Sequence, residues 1–389
     1  MIYLDSAATT PVRREVLEAV WPWLTGEFGN PSSSHALGGR AAAALKQART
    51  TIAQILNCRV SEVIFTSGGT EADNLAIKGI ALATPRGRHL VTTAIEHEAV
   101  LASCDFLARH HGFEITQAPV GPDGLIDPGQ FAAALRDDTT LCTVMLANNE
   151  VGTIQPVPEL ARVAHRRGIP FHTDAVQAAG ALDLDVLALG VDALSISGHK
   201  LGAPKGIGAL YLRGRVPVEP LLHGGGQERG RRSGTENVAG AVGLAKALEL
   251  ATTGLDSRMR SLTAVRDELI RGILTTVPGA ILTGHPTLRL PGNASFVFPG
   301  ASGEAVLLQL EERGILCSSG SACAAGRDEP SHVLLAMGYA PEVAQTAVRF
   351  TLSEAVTAEM APEIVGAVAA ACTAVRGDSA RAPKATQSG

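Results

Sequence analysis

From about residue 40 to 250, short apolar runs rich in Val, Ile, Leu and Thr alternate with longer, Ala-rich amphipathic stretches. No other feature of the chain constrains its fold as much. The runs are Val63-Ile64-Phe65, Leu90-Val91-Thr92, 141–146, 169–173 and 193–196, and helical patterns such as 157–167 separate several of them. Strands joined by helix-length crossovers run parallel, and strands apolar along their whole length are covered on both faces. The segment 207–212 follows Lys200 too closely for a helical crossover, so it is expected to be an antiparallel strand. The expected class is α/β, with a mostly parallel central sheet flanked by helices.

Beyond about residue 255 the pattern changes. A long helix (257–274), a strand (293–298), a second helix (304–313) and a small-residue loop predict a smaller α+β domain. The expected division is a large domain over 14–255 and a small one from 1–13 plus 256–375. The tail 376–389 is polar, without apolar periodicity, and is expected to be disordered. No internal repeat is present.

Composition narrows the function classes. The 389 residues are 46% hydrophobic and 18% charged, with a formal net charge of −5 spread without long blocks of one sign. Nothing there suggests a nucleic-acid or membrane surface. No apolar run approaches the ~18 residues that span a bilayer, and the start of the chain lacks the pattern of a signal peptide. The six cysteines form no C-x-x-C pair and no zinc spacing, so no metal is expected. Reduced thiols in a cytoplasm are the expectation.

Ligands of open α/β sheets bind outside the carboxyl ends of the strands, and here those ends carry polar groups. Thr66-Ser67-Gly68-Gly69-Thr70-Glu71 opens a helix after the first run, a place where free N–H groups and the helix dipole favour an anion. It matches neither the P-loop nor the dinucleotide fingerprint. The next ends bear Asn148-Asn149-Glu150-Val151-Gly152, Asp174-Ala175-Val176-Gln177 and Ser197-Gly198-His199-Lys200. A cleft lysine can form a Schiff base, a neighbouring aspartate can hold a pyridinium nitrogen protonated, and an anion site can grip a phosphate. These are the protein contributions that pyridoxal phosphate needs. Farther on, Cys323 stands in Cys317-Ser318-Ser319-Gly320-Ser321-Ala322-Cys323-Ala324-Ala325-Gly326, among residues too small to make a core. It reads as a thiol on a mobile, exposed loop.

These motifs together resemble the NifS/IscS-like cysteine desulfurases of the class V aminotransferase group, whose fold is the fold-type I pyridoxal-phosphate transferase. The resemblance covers residues 3–360. It is supported by Tyr3-Leu4-Asp5-Ser6-Ala7-Ala8-Thr9-Thr10, Gly29-Asn30-Pro31-Ser32-Ser33-Ser34-His35, Glu96-His97-Glu98-Ala99-Val100, 224–235 and Arg349-Phe350-Thr351-Leu352.

The resemblance implies conversion of L-cysteine to L-alanine with transfer of sulfur to Cys323 as a persulfide. Lys200 would carry the cofactor and move the Cα proton, Asp174 would pair with the pyridine nitrogen and Gln177 with the phenolic oxygen. His97 would stack on the ring and help deprotonate the substrate thiol. Gly69, Thr70, Ser197 and His199 would hold the phosphate, with Thr235 reaching across a homodimer interface. Asn149 and Arg349 would bind the substrate carboxylate, while Lys205, the competing lysine, reads as part of a turn.

The implied partner is a sulfur-acceptor protein, an iron–sulfur scaffold or a thiolation or sulfur-modification protein, and no direct nucleic acid or membrane. A selenocysteine lyase or related lyase or transaminase is the nearest alternative. A sulfur carrier with a vestigial cofactor site is the other, and the intact Lys200, Asp174 and His97 argue against it. Two departures stand out. Cys317 replaces an apolar residue, and Ser353-Glu354 follows Leu352 where relatives commonly have Gly-Arg. The acceptor-docking tail of the housekeeping iron–sulfur enzymes is not seen either.

Overall fold

The computed structural model describes residues 1–83, 86–320 and 329–381. Twelve strands are present among these residues. They are β1 (Ile2–Tyr3), β2 (Val63–Thr66), β3 (His89–Thr93), β4 (Glu114–Ala118), β5 (Thr139–Thr143), β6 (Phe171–Asp174), β7 (Ala193–Ser197), β8 (Gly208–Leu212), β9 (Ile281–Leu282), β10 (Asn293–Val297), β11 (Ile315–Leu316) and β12 (Ala347–Thr351). Seven of them form one sheet in the order β2-β8-β7-β6-β5-β3-β4. All contacts from β7 through β4 are parallel, and β8 runs antiparallel to both β7 and β2, as its short connection requires. Every strand but β8 therefore delivers its carboxyl end to the same edge.

Alternate residues of each strand enter different cores. Val91, Cys142 and Leu194 pack with Ile52, Leu160 and Leu244 on one face, while Leu90, Leu141 and Ala193 pack with Leu75, Ile80 and Leu107 on the other. Burial of both faces explains why these strands read as continuous apolar runs. The run 141–146 ends its regular pairing at Thr143. Its remainder still donates to β6, from Val144 N to His172 O (3.1 Å) and from Leu146 N to Asp174 O (2.8 Å).

A third core joins Leu4 to residues between Val265 and Val375. There Phe296 lies 5.9 Å from Phe298 and 6.2 Å from Phe350, ring centre to ring centre. The helix Leu255–Thr276 packs against Ala361–Arg381, which contributes Ile364, Val368, Cys372 and Val375 to this core. Two expectations need correction here. The window Ala358–Gly377 is long and apolar enough to cross a bilayer by length and composition. Its apolar stripe, however, is spent on the core, with Ile364, Val368 and Cys372 buried at helical spacing. The expected disordered tail is helical from Arg376 to Arg381. The Arg376 guanidinium anchors it, donating to Pro278 O (2.8 Å) and Pro299 O (3.1 Å). Residues 382–389 lie outside the described residues.

Candidate active site

A cleft of about 1320 Å³ opens at the carboxyl edge of the large sheet, and residues from both ends of the chain line it. Gly69, Thr70, His97, Asn149, Asp174, Gln177, Ser197, His199, Lys200 and Arg349 all reach it. Lys205 also lines its mouth, exposed on the turn after Lys200. Cys323 lies outside the described residues. Thr235 is exposed and does not reach its own chain's cleft. Its segment is pinned by a buried ion pair in which Arg49 donates from Nη1 and Nη2 to the two oxygens of Glu228 (2.6 and 2.7 Å). Glu228 and Arg229 hold left-handed backbone there, with φ of 50° and 60°.

The anion end begins where β2 turns into the helix Gly69–Ala83. A side chain at Gly69 would meet Val176 Cγ2 at 2.8 Å and Ser197 Cβ at 3.4 Å, so glycine is needed for the helix start to approach the β7 end. The unpaired first-turn N–H groups and the Ser197 hydroxyl make a cradle for a phosphate-sized anion. His199 accompanies them, with Nδ1 3.1 Å from Thr9 Oγ1. Burial, with help from Lys200 and Lys205, pushes its pKa down to about 4, so it is a neutral ring in this cleft.

Asp174 ends β6 and is buried, and its Oδ1 accepts from Val176 N (2.8 Å). Burial raises its pKa, while His97, that same N–H and Lys200 pull it down. Behind it Asp73 is raised well above the ordinary range by burial and by the Asp174 charge. Burial also lifts Glu96 to about 8 and drops His172 to about 3. His172 is held neutral between Thr143 Oγ1 (2.8 Å) and Ser195 Oγ (3.0 Å). A carboxylate at the mouth of such a buried acidic cluster suits a cationic ring N–H as its partner.

His97 caps the helix Glu98–His111, accepting from Ala99 N at Nδ1 (3.1 Å). A neutral ring that accepts at Nδ1 carries its hydrogen on Nε2. It can donate into the cleft. Lys200 ends the short turn after β7, and its Nζ donates to Ala7 O and to Ala8 O (2.7 Å). Gln177 Nε2 donates to the same Ala7 carbonyl (3.0 Å).

The turn bearing Asn149 is fixed by Asn148, whose Oδ1 accepts from Glu150 N (2.8 Å) and Val151 N (2.9 Å) and whose Nδ2 donates to Ile95 O (2.9 Å). Arg349 projects from β12 beneath this turn and is 2% exposed. It donates to Asn149 O (2.9 Å) and to Asp5 Oδ1 (2.8 Å).

Three groups had no role assigned from sequence. Asp73 and Glu150 line the cleft, and Asp5 binds its arginine. Asp5 and Glu150 stand inside the motif segments and Asp73 just past one, and only the contacts give them work. Cys317 packs beside the small core, its thiol pushed up to about 12 by burial and by Asp5, and so stays protonated. Glu354, the other departure, pairs with Arg13 (3.2 Å) and Arg258 (3.0 Å).

Comparison with known proteins places this arrangement. The family described as Aminotransferase class-V matches residues 2–361. The protein named cysteine desulfurase IscS of Methanosarcina thermophila is 47% identical over 98% of this chain and 95% of its own. A solved structure titled NifS-like protein superposes with a TM-score of 0.89 at 36% identity, covering 96% of this chain and 99% of that one. Another, titled SspA in complex with cysteine, gives 0.81 at 39% identity over 90% and 99%.

Proposed function

This chain belongs to the class-V aminotransferase family, and from that premise we propose that it is a pyridoxal-phosphate-dependent cysteine desulfurase. The observation that carries the reading is the convergence on one cleft of Lys200, Asp174, His97 and Arg349. The cleft residues fit the cofactor. The Gly69–Thr70 helix start with Ser197 and His199 would take the phosphate, Asp174 the ring nitrogen, Gln177 the phenolic oxygen and Lys200 the aldehyde carbon. When bound, pyridoxal phosphate supplies an electron sink for the Cα of an amino acid.

The residues do the rest. Arg349 and Asn149 hold the substrate carboxylate, with the guanidinium supplying the charge-assisted bonds. Lys200 Nζ would be the base that moves the Cα proton. His97, which lines the cleft, would stack on the ring and help deprotonate the substrate thiol. Cys323, as thiolate, attacks that sulfur. An S–S bond forms, the substrate C–S bond breaks, its electron pair stays with carbon, and protonation there gives alanine. The balance is L-cysteine plus enzyme thiol to L-alanine plus enzyme persulfide, with no external oxidant. Thr235, exposed on its own chain, is assigned to the phosphate site of a second copy in a homodimer, and the persulfide is assigned to delivery onto an acceptor protein.

Product analysis tests the reading. Incubation with L-cysteine and a thiol reductant should release L-alanine and sulfide in equal amounts, with no keto acid. Pyruvate in place of alanine would assign the cleft to a lyase or transaminase instead.

A further inference from the structure

The donors of Arg349 are divided unevenly. Nη1 donates to two carbonyls, Asn149 O (2.9 Å) and Gly320 O (3.3 Å). Nη2 donates to Asp5 Oδ1 (2.8 Å). Nε is buried and has no partner among the described residues. A guanidinium has five N–H bonds in a fixed fork. Those left over are Nε–H and one on Nη2. A buried N–H left unpaired is costly, and Arg349 lines the cleft with donors to spare, which favours an anionic ligand there.

Asp5 is itself held in place by a strap formed by residues 3–9. Tyr3 Oη donates to Asp5 O (2.9 Å) and Thr9 O (2.7 Å), bracing the bend from outside. Thr351 N donates to Leu4 O (2.7 Å), Ser6 N to Thr351 O (3.2 Å) and Ala7 N to Thr351 Oγ1 (2.9 Å). The strap is thus laced to β12, two residues from Arg349. Its Ala7 carbonyl meets Gln177 on the opposite wall. It ties the arginine to the sheet edge and leaves Asp5 on one nitrogen only.

We propose that Asp5 is a positioning residue of the substrate-carboxylate site. By holding Nη2, it fixes the Arg349 guanidinium at the cleft wall and makes the enzyme select amino acids over amines that lack a carboxylate. The inference rests on the reading of the cleft as an amino-acid site. Arg349 would touch substrate, and Asp5 acts only through it.

The test titrates the holoenzyme with L-cysteine and with cysteamine, the same aminothiol without the carboxylate, following the visible absorption of the bound cofactor. Asp5→Ala should weaken L-cysteine roughly tenfold, the usual scale of a lost charged hydrogen bond, with kcat little changed and cysteamine within about twofold. Asp5→Asn keeps an acceptor for Nη2 and should fall between. If the alanine variant does not fold, as judged by its unfolding midpoint, the asparagine variant carries the test with a loss of about threefold. Equal weakening of both ligands, no change in L-cysteine binding, or tighter L-cysteine binding would each overturn the proposal. A wild-type cofactor band that responds to neither ligand would instead sink the amino-acid reading itself.

Discussion

The two walls of the cleft are built by opposite means. On the sheet edge, Asp174 and His97 are fixed by near neighbours in sequence, Val176 and Ala99, and the turn that begins at Gly198 places the Lys200 backbone, while the side chains of Lys200 and Gln177 reach the distant Ala7 carbonyl. On the β12 wall, Arg349 is fixed from far away. It meets Asp5 across 344 residues and Asn149 across 200. The sheet edge brings the backbone of these groups to one line, because parallel strands deliver their ends there. The recognition wall exists only once the first few residues and β12 have come together. The backbone of the groups proposed for the chemistry is placed locally, while the arginine proposed to recognise substrate depends on the completed fold.

The largest effect is expected on the sheet edge. Lys200→Ala should lower alanine formation by about a thousandfold or more, the scale of losing both a covalent anchor and a positioned base. Lys205→Ala should leave cofactor absorption in place. Retained absorption and turnover in Lys200→Ala would break the comparison at its root. On the other wall, Arg349→Ala should reduce kcat/KM roughly a hundredfold, mostly through KM, because it removes binding common to ground and transition states. A loss confined to kcat would mean that Arg349 belongs with the chemistry.

Gly152 sits at the joint between the walls. Its φ is +80°, and a Cβ there would lie 2.6 Å from Asn293 Cγ. Gly152→Ala should therefore cost about 2 kcal/mol of stability and disturb the Asn149 turn, lowering the unfolding midpoint and weakening L-cysteine together. Unchanged thermal unfolding would show the joint to be loose.

The smallest effect is a pH dependence of the sheet-edge wall. Glu96 accepts from Thr93 Oγ1 (2.8 Å) and Met145 N (3.0 Å), and burial raises it to about 8. A raised folded pKa means that the native state holds the proton longer than the unfolded chain. The stability it contributes is full below the unfolded value near 4.5 and is lost as pH rises through about 8. Between pH 7 and 8 the apoprotein should lose roughly 1 kcal/mol that Glu96→Gln does not. His172, dropped to about 3, works the other way, its contribution disappearing as pH falls below about 6.5. Parallel chemical denaturation of both proteins across that range checks it, and identical slopes would contradict the protonated Glu96.

Much of this was legible in the sequence. The alternation of runs placed the parallel strands, and the short link after Lys200 placed the antiparallel β8. Three polar strand ends marked the reactive wall. Asp5 was not legible as a partner of Arg349, because nothing local in Tyr3-Leu4-Asp5 indicates that β12 will lie alongside it. Nor could composition tell that the apolar stripe of Ala361–Arg381 would be covered by Leu269 and Ile273. The tail beyond Val375 looked structureless because Arg376 finds its carbonyl partners about a hundred residues upstream, on Pro278.

The central claim is that this cleft moves sulfur from L-cysteine onto Cys323 by means of Lys200. A single turnover tests it most directly, with holoenzyme mixed with one equivalent of L-cysteine, quenched without reductant, digested and mass-analysed. One alanine per persulfide is expected, with the extra sulfur on the peptide bearing Cys323 and neither product from Lys200→Ala. Alanine formed without a sulfur adduct, or the adduct on Cys317, would contradict it.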